Sequence, residues 1–82
     1  MHRCTRIKHK LDVLKPHYLK IIDESHLHIG HIDYAVETHL RIKISAICLN
    51  DKTRLAQHFL INQILQDEFA HGLHALSIEV VN

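Results

Sequence analysis

The segment His74-Ala-Leu-Ser-Ile-Glu-Val-Val81 decides how the rest of the chain is arranged. Apolar and polar residues alternate along it, which is the period of a strand that buries one face. Just before it, a helical run ends at Gly72, the residue type that takes the left-handed cap of a helix without a steric penalty. The chain is therefore predicted to leave a helix, turn at Gly72 and enter a sheet at His74. The predicted core positions of this strand are Leu76, Ile78 and Val80.

Two elements are predicted near the start of the chain. Residues 5–14 carry apolar side chains at helical spacing, which predicts a short amphipathic helix with Thr5 as its N-cap. Pro16 disfavours helical geometry at Lys15, so the helix should end there. The aromatic and β-branched segment 18–22 then predicts a first strand.

The middle of the chain predicts a second strand and a helical region. Residues 40–45 alternate cleanly, with Leu40, Ile42 and Ile44 expected in the core. Several N-cap candidates in Asn50-Asp-Lys-Thr53 precede residues 54–69, whose apolar residues have helical spacing. This region is predicted as one long helix or two short ones.

The order helix, strand, strand, helix, strand predicts a single α/β domain over residues 1–82. We expect a two-layer α+β arrangement, a three-stranded mixed sheet with helices on one face. The first two strands should pair antiparallel, and the helical crossover favours a parallel third strand. The end of strand one and the starts of strands two and three would then share one edge. The histidine-rich residues 26–39 have no sustained period and contain Gly30, so we predict a long loop there, called the histidine loop. Its histidines, from His26 to His39, and His74 should converge at this edge.

Composition narrows the classes of function. The 82 residues are 46% hydrophobic, which favours a folded domain. The formal net charge is only +1, so the strong positive field of a protein that binds nucleic acid mainly through phosphates is missing. Cys4 and Cys48 form no Cys-x-x-Cys motif, and two free thiols suit a reducing compartment. No secretory signal or membrane span is apparent. We expect a cytoplasmic protein, with a mitochondrial matrix location left open, and Cys48 as a buried or half-buried thiol.

Histidine is the main chemical clue, because the chain contains ten. Neutral imidazole binds zinc, copper and iron. No His-Glu-x-x-His occurs, however, and histidines alone form only part of a metal site, to which Asp33, Glu24 or Glu37 could add oxygen. The alternative is that most of these histidines are solvated loop residues. No nucleophile or phosphate-binding motif is present, so an enzyme is not predicted.

Several segments in the right order resemble the BolA family. They are Asp23-Glu-Ser25, the histidine loop, Glu37-Thr-His-Leu-Arg-Ile42, the helix with His58 and Asn62, and Leu73-His-Ala-Leu-Ser-Ile78. The resemblance implies a fold similar to class II KH domains. It also implies a monothiol glutaredoxin with a Cys-Gly-Phe-Ser motif as partner, and a 2Fe-2S cluster shared with that glutaredoxin and glutathione. Aligned on the family pattern, the ligands from this chain would be His74 and His28, with His26 and His31 as weaker candidates.

One departure from the family pattern bears on nucleic acid. Relatives usually carry Arg-His-Arg where this chain has Gln57-His58-Phe59, so the basic character of that helix is reduced. A BolA-type DNA-binding regulator, using Lys52, Arg54 and His58, is the alternative function. A stand-alone zinc or copper site in the histidine loop is another. Phe59 is expected either to pack internally or to form an apolar partner surface, and the isolated chain to be a monomer or a homodimer.

Overall fold

The computed structural model describes residues 2–25 and 37–81. Two short 3-10 turns, Asp12–Leu14 and Ile47–Leu49, accompany the regular elements of these residues. The regular elements, in chain order, are α1 (Arg3–Leu11), β1 (Tyr18–Asp23), β2 (His39–Ser45), α2 (Arg54–Ile64), α3 (Gln66–Ala70) and β3 (Ala75–Val80).

The sheet has the predicted topology. Its strand order is β1-β2-β3, with β1 antiparallel and β3 parallel to the central strand β2. In register, Asp23 lies opposite Leu40, and His39 lies opposite Ala75. The end of β1 and the starts of β2 and β3 therefore share one edge, as the order of elements predicted.

The core lies on the face of the sheet covered by the helices. The three predicted core residues of β2 are completely or almost completely buried, because this strand has a neighbour on each side. Those of β3 are only partly buried, although they pack against the same core, because β3 lies at the side of the sheet. The buried apolar residues are Ile7, Leu11, Leu40, Ile42, Ile44, Ala46, Leu49, Ile61, Leu65 and Leu73.

Helix α1 starts earlier than predicted. Its N-cap is His2, and Thr5 is an exposed residue within the helix, so the prediction of Thr5 as N-cap was wrong. The side chain that caps the helix comes instead from a distant residue, Glu37, and sequence spacing alone does not reveal such a contact. The end of the helical segment is closer to the prediction. Lys15, the residue before Pro16, has φ 50° and lies in the left-handed region, so right-handed helical geometry does not continue through it.

The region 54–70 forms two helices, which resolves the alternatives. Thr53 is the N-cap of α2, and its hydroxyl oxygen accepts a hydrogen bond from the N–H of Ala56 at 3.1 Å. Phe59 is 67% exposed and therefore belongs to the surface. Cys48 is also exposed, which corrects the prediction of a buried or half-buried thiol; it lies in the 3-10 turn that follows β2, whose buried residue is Leu49.

Gly72 makes the turn between α3 and β3 with φ 113°, as its position predicted. This left-handed region is strained for residues that carry a Cβ. Among residues 2–25 and 37–81, no helix combines the length and the hydropathy needed to cross a membrane.

Candidate functional site: the histidine edge of the sheet

We call the place where β1 ends and β2 and β3 begin the histidine edge. It comprises Asp23–Ser25, Glu37–His39 and His74. Both imidazoles of this edge lie at strand starts, and the carbonyl of Thr38 accepts the N–H groups of His74 at 2.8 Å and Ala75 at 3.2 Å. The rings of His39 and His74 meet edge to face, with centroids 5.7 Å apart and planes at 86°. His74 is exposed and His39 is half-buried.

A hydrogen-bonded knot holds the two chain segments of this edge together. One carboxylate oxygen of Asp23 accepts the N–H of Ser25 at 3.0 Å and its hydroxyl at 2.6 Å, and the other accepts the N–H of Glu37 at 3.1 Å. The Ser25 oxygen in turn accepts the N–H groups of Thr38 at 2.9 Å and His39 at 3.2 Å. The backbone that carries His39 is therefore fixed by side chains at the end of β1.

Arg3 joins this edge to helix α1 and to the turn before β3. Its guanidinium Nη1 donates to the carbonyl of Glu37 and its Nη2 to the carbonyl of His71, each at 2.6 Å. Its Nε donates to the carboxylate of Glu68 at 3.1 Å. We call this set of three contacts the Arg3 clamp.

Glu68 is a buried carboxylate shared by three cations. Its side chain is 3% exposed, and Arg3, Arg6 and Lys10 approach it at 3.1, 2.9 and 2.8 Å. Hydrogen bonds from Arg6 above all, helped by those from Lys10 and Arg3, outweigh the effect of burial and lower the pKa of Glu68 to about 2. The carboxylate stays ionised, and it holds α1 against α3.

Glu37 caps α1 through its carboxylate, which accepts the N–H of Cys4 at 2.9 Å. Burial works to raise the pKa of Glu37, but the hydrogen bonds from Cys4 and Arg3 prevail and hold it below its ordinary value. For the Cys4 thiol, burial and the nearby Glu37 carboxylate act together and raise the pKa to about 12. A thiol with so little thiolate is a poor nucleophile and a poor metal ligand at neutral pH.

The predicted ligands are placed only in part. His74 lies at the edge as expected, whereas His28, His26 and His31 lie outside the described residues, as does Asp33. Glu24 and Glu37, considered as oxygen donors, are engaged elsewhere: Glu24 accepts Arg41 Nε at 3.1 Å, and Glu37 caps α1.

The sequence placed His39 at this edge beside His74, as the structure confirms, but it was not chosen as a ligand, and neither Arg3 nor Glu68 was selected as a site residue. The predicted topology brought His39 there, because the starts of two parallel neighbouring strands lie at the same edge of a sheet. Nothing local distinguishes Arg3 or Glu68 from surface charges. Over the ranges 2–25 and 37–81, no three His, Cys, Asp or Glu side chains are grouped as a metal site would require. The described residues of the histidine edge therefore supply only some of the ligands that a metal site needs.

The residues predicted for nucleic-acid binding are found beside the sheet, away from the histidine edge. Arg54 and His58 line a groove of about 460 Å³ between α2 and β3, together with Arg41. Glu79 lines the same groove, so its charge is mixed. Lys52 is exposed in the turn before α2 and does not line this groove.

In the residues that the structure describes, these features define a two-layer α+β domain with the imidazoles of His39 and His74 at one edge of a mixed sheet. The model of the family described as BolA-like protein matches residues 11–82. The chain belongs to the BolA family.

Relatives and solved structures agree with this assignment. The chain is 37% identical to an uncharacterized protein in the cobS 5'region of Sinorhizobium sp, over 88% of its own length and 81% of that protein. It is 36% identical to the DNA-binding transcriptional regulator BolA of Vibrio cholerae, over 82% of its length and 61% of the regulator. The structure of the BolA domain of SufE1 from Arabidopsis thaliana superposes with a TM-score of 0.88, at 40% identity, covering 98% of this chain and 91% of that one.

The matches differ in how much of each relative they cover. Against SufE-like protein 1 of Arabidopsis thaliana the identity is 39% over 93% of this chain, yet only 22% of the plant protein is spanned. BolA1 from the same plant gives a TM-score of 0.87 at 34% identity, with 98% and 90% coverage. The shared unit is therefore the BolA domain, which occurs both in small proteins and inside a much longer one.

Proposed function

We propose that this protein is a non-enzymatic cytoplasmic adaptor that binds a monothiol glutaredoxin and shares a 2Fe-2S cluster with it. This chain would supply His74 and, from the histidine loop, His28, with His26 and His31 as weaker candidates. The glutaredoxin cysteine and the thiol of glutathione would supply the sulfur ligands. The role would be iron-sulfur trafficking or the sensing of iron or redox state.

The observation that supports this proposal is the position of His74. Its ring is exposed, so a partner protein can reach it, while its backbone is fixed by the 2.8 Å hydrogen bond to Thr38. An exposed side chain on a fixed backbone suits a ligand that completes a site between two proteins, since little ordering is left for complex formation.

The donor chemistry of the edge fits a shared cluster better than a site of its own. Two imidazoles lie together, and the Cys4 thiol, the one cysteine bonded to this region in the described residues, is held protonated. The sulfur ligands would therefore come from the glutaredoxin and from glutathione. Imidazole ligation of an iron-sulfur cluster raises its reduction potential and makes it sensitive to protonation of the ligand.

Reconstitution tests the proposal. The protein is mixed with a monothiol glutaredoxin, iron, sulfide and glutathione, and the visible absorption and circular dichroism of the complex are recorded. We expect His74→Ala to change both spectra, and the control His9→Ala, which removes an exposed imidazole from α1, to change neither. A His74→Ala spectrum identical to that of the wild type would overturn the ligand role.

The second ligand is tested in the same assay. We expect His28→Ala to alter the cluster spectrum. His39→Ala is measured beside it, because His39 is the imidazole that contacts His74 in the described part of the chain. If only His39→Ala altered the spectrum, the assignment of His28 would be wrong and the ligand pair would be His39 and His74.

DNA binding is the second candidate function. It is supported by the groove that brings Arg41, Arg54 and His58 together, and by the similarity to the Vibrio cholerae regulator. Glu79 in the groove and the low net charge predict weak binding. A gel-shift assay with random and promoter DNA at two salt concentrations tests it, and Arg54→Gln should reduce a genuine shift. An absence of any shift at low salt would exclude this function.

A further inference from the structure

We propose that Arg3 is a positioning residue that sets the spacing of the His39 and His74 rings. Its importance for ligand binding rests on the function proposed above, whereas its contacts with the two segments that carry the rings do not depend on that function. Helix α1, in which Arg3 is the first residue, would thereby be part of the histidine edge.

The contacts of Arg3 reach both segments that carry an imidazole. Nη1 bonds the carbonyl of Glu37, two residues before His39, and Nη2 bonds the carbonyl of His71, three residues before His74. Both distances are 2.6 Å, and the Arg3 side chain is only 13% exposed. A single rigid guanidinium therefore links two backbone segments that are more than thirty positions apart in the sequence, in addition to the hydrogen bonds from the N–H groups of His74 and Ala75 to the carbonyl of Thr38.

The surroundings of Arg3 hold the guanidinium in one place. Its Nε is bonded to the buried carboxylate of Glu68 at 3.1 Å. Its Nη2 packs closely against Gly72: a Cβ added to Gly72 would lie 2.9 Å from that nitrogen. The glycine thus serves both the positive φ of the turn and the close approach of Arg3.

The conformation of Glu37 is further support. It is a non-glycine residue with φ 60°, in the left-handed region. Such residues persist where the surrounding structure over-determines them. Here Asp23 binds its N–H, Arg3 binds its carbonyl, and Cys4 binds its carboxylate. Each of the groups that fix Glu37 also fixes the entry of the chain into β2.

Arginine is required by this arrangement, because two nitrogens on one plane serve two carbonyls. A lysine keeps the positive charge beside Glu68, but its one ammonium nitrogen cannot occupy the positions of both Nη1 and Nη2, so the spacing between the two carbonyls is not kept. Arg3 lies outside residues 11–82, the part of the chain that the family model matches, so the role proposed here does not come from that match. Removal of a residue that orients a metal ligand typically lowers the affinity for the metal by about 10- to 100-fold.

The test uses Arg3→Lys, with Lys10→Met as the matched control. Lys10 donates to the same carboxylate of Glu68 at 2.8 Å, so its loss also weakens the buried cluster, but it contacts neither carbonyl of the clamp. After far-UV circular dichroism has shown that both variants are folded, ring-to-ring nuclear Overhauser effects between His39 and His74 are measured by NMR. We expect the cross-peak in the wild type and in Lys10→Met, and its loss in Arg3→Lys.

A cross-peak of unchanged intensity in folded Arg3→Lys would overturn the proposal. If Arg3→Lys does not fold, Arg3→Gln tests the same contacts, because its shorter side chain carries one donor nitrogen and cannot reach both carbonyls. Cluster retention in the reconstituted complex is then compared, with about a tenfold loss expected for the variant that loses the cross-peak. If the wild type held no cluster, the proposed function would fail, while the NMR result would still decide the role of Arg3.

Discussion

Replacing Glu68 by glutamine tests whether the buried carboxylate holds the N-terminal helix to the rest of the domain. The substitution keeps the size of the side chain and removes its charge. Arg3, Arg6 and Lys10 then face one another without a counterion, and Arg3 remains largely buried.

The pKa of Glu68 sets the size of the effect. It falls from an ordinary value of 4.5 to about 2, and a difference of about 2.5 pKa units corresponds to roughly 3 kcal/mol. Loss of one partner from a buried ion pair typically costs about 3–5 kcal/mol, which agrees. Against a total stability of about 5–15 kcal/mol, this is a large fraction, and the melting temperature should fall by about 12–24 °C.

Urea denaturation followed by far-UV circular dichroism measures the change. The control is Asp67→Asn, the same chemical change at the exposed neighbouring residue, for which we expect about 0.5 kcal/mol or less. A loss below about 1 kcal/mol for Glu68→Gln at pH 7 would refute the interpretation of the cluster as a stabilising contact.

The pH dependence gives a second check. Because the folded pKa lies below the unfolded one, this stabilisation is complete above about pH 4.5 and disappears as pH falls through about 2. The difference in free energy of unfolding between the wild type and Glu68→Gln should therefore shrink between pH 5 and pH 2. A constant difference over that range would contradict the assignment.

Three further results are expected. Thr53→Ala should lower the free energy of unfolding by about 1 kcal/mol through loss of the α2 N-cap, measured by urea denaturation, and Thr53→Ser should restore most of it. Ile61→Ala should cost about 2–5 kcal/mol in the same assay, whereas Leu55→Ala, at a side chain that is 82% exposed, should be close to neutral. In the native protein at pH 8, a thiol reagent should label the exposed Cys48, while Cys4, with a pKa of about 12, should react only after unfolding; equal rates would contradict the environment described for Cys4.

The strands were predictable because their side chains alternate. The pattern of Leu40, Ile42 and Ile44 specified both the existence and the buried face of the central strand, and the directions in which the strands pair followed from the order of the elements. His74 could be placed at the edge for the same reason. These are local patterns combined with a general rule for crossovers, so they need no knowledge of distant contacts.

The contacts that hold the site together could not be predicted in this way. Glu68 bonds Arg3, Arg6 and Lys10 across separations of 58–65 residues, and in the sequence it is one acidic residue of an amphipathic helix. The N-cap of α1 was assigned to Thr5 because capping was sought beside the helix, whereas its acceptor is Glu37, 33 positions after Cys4. Phe59 shows a further limit, because helical spacing does not say which of several apolar stripes faces the core.

The knot formed by Asp23 and Ser25 has a consequence for engineering. One carboxylate and one hydroxyl fasten both stems of the segment between Ser25 and Glu37, and these bonds use backbone N–H groups that any replacement at positions 37–39 except proline retains. Foreign peptides of different length could therefore be grafted between the two stems while the sheet remains intact. The domain would then serve as a scaffold on which the segment between the two stems is exchanged as a cassette.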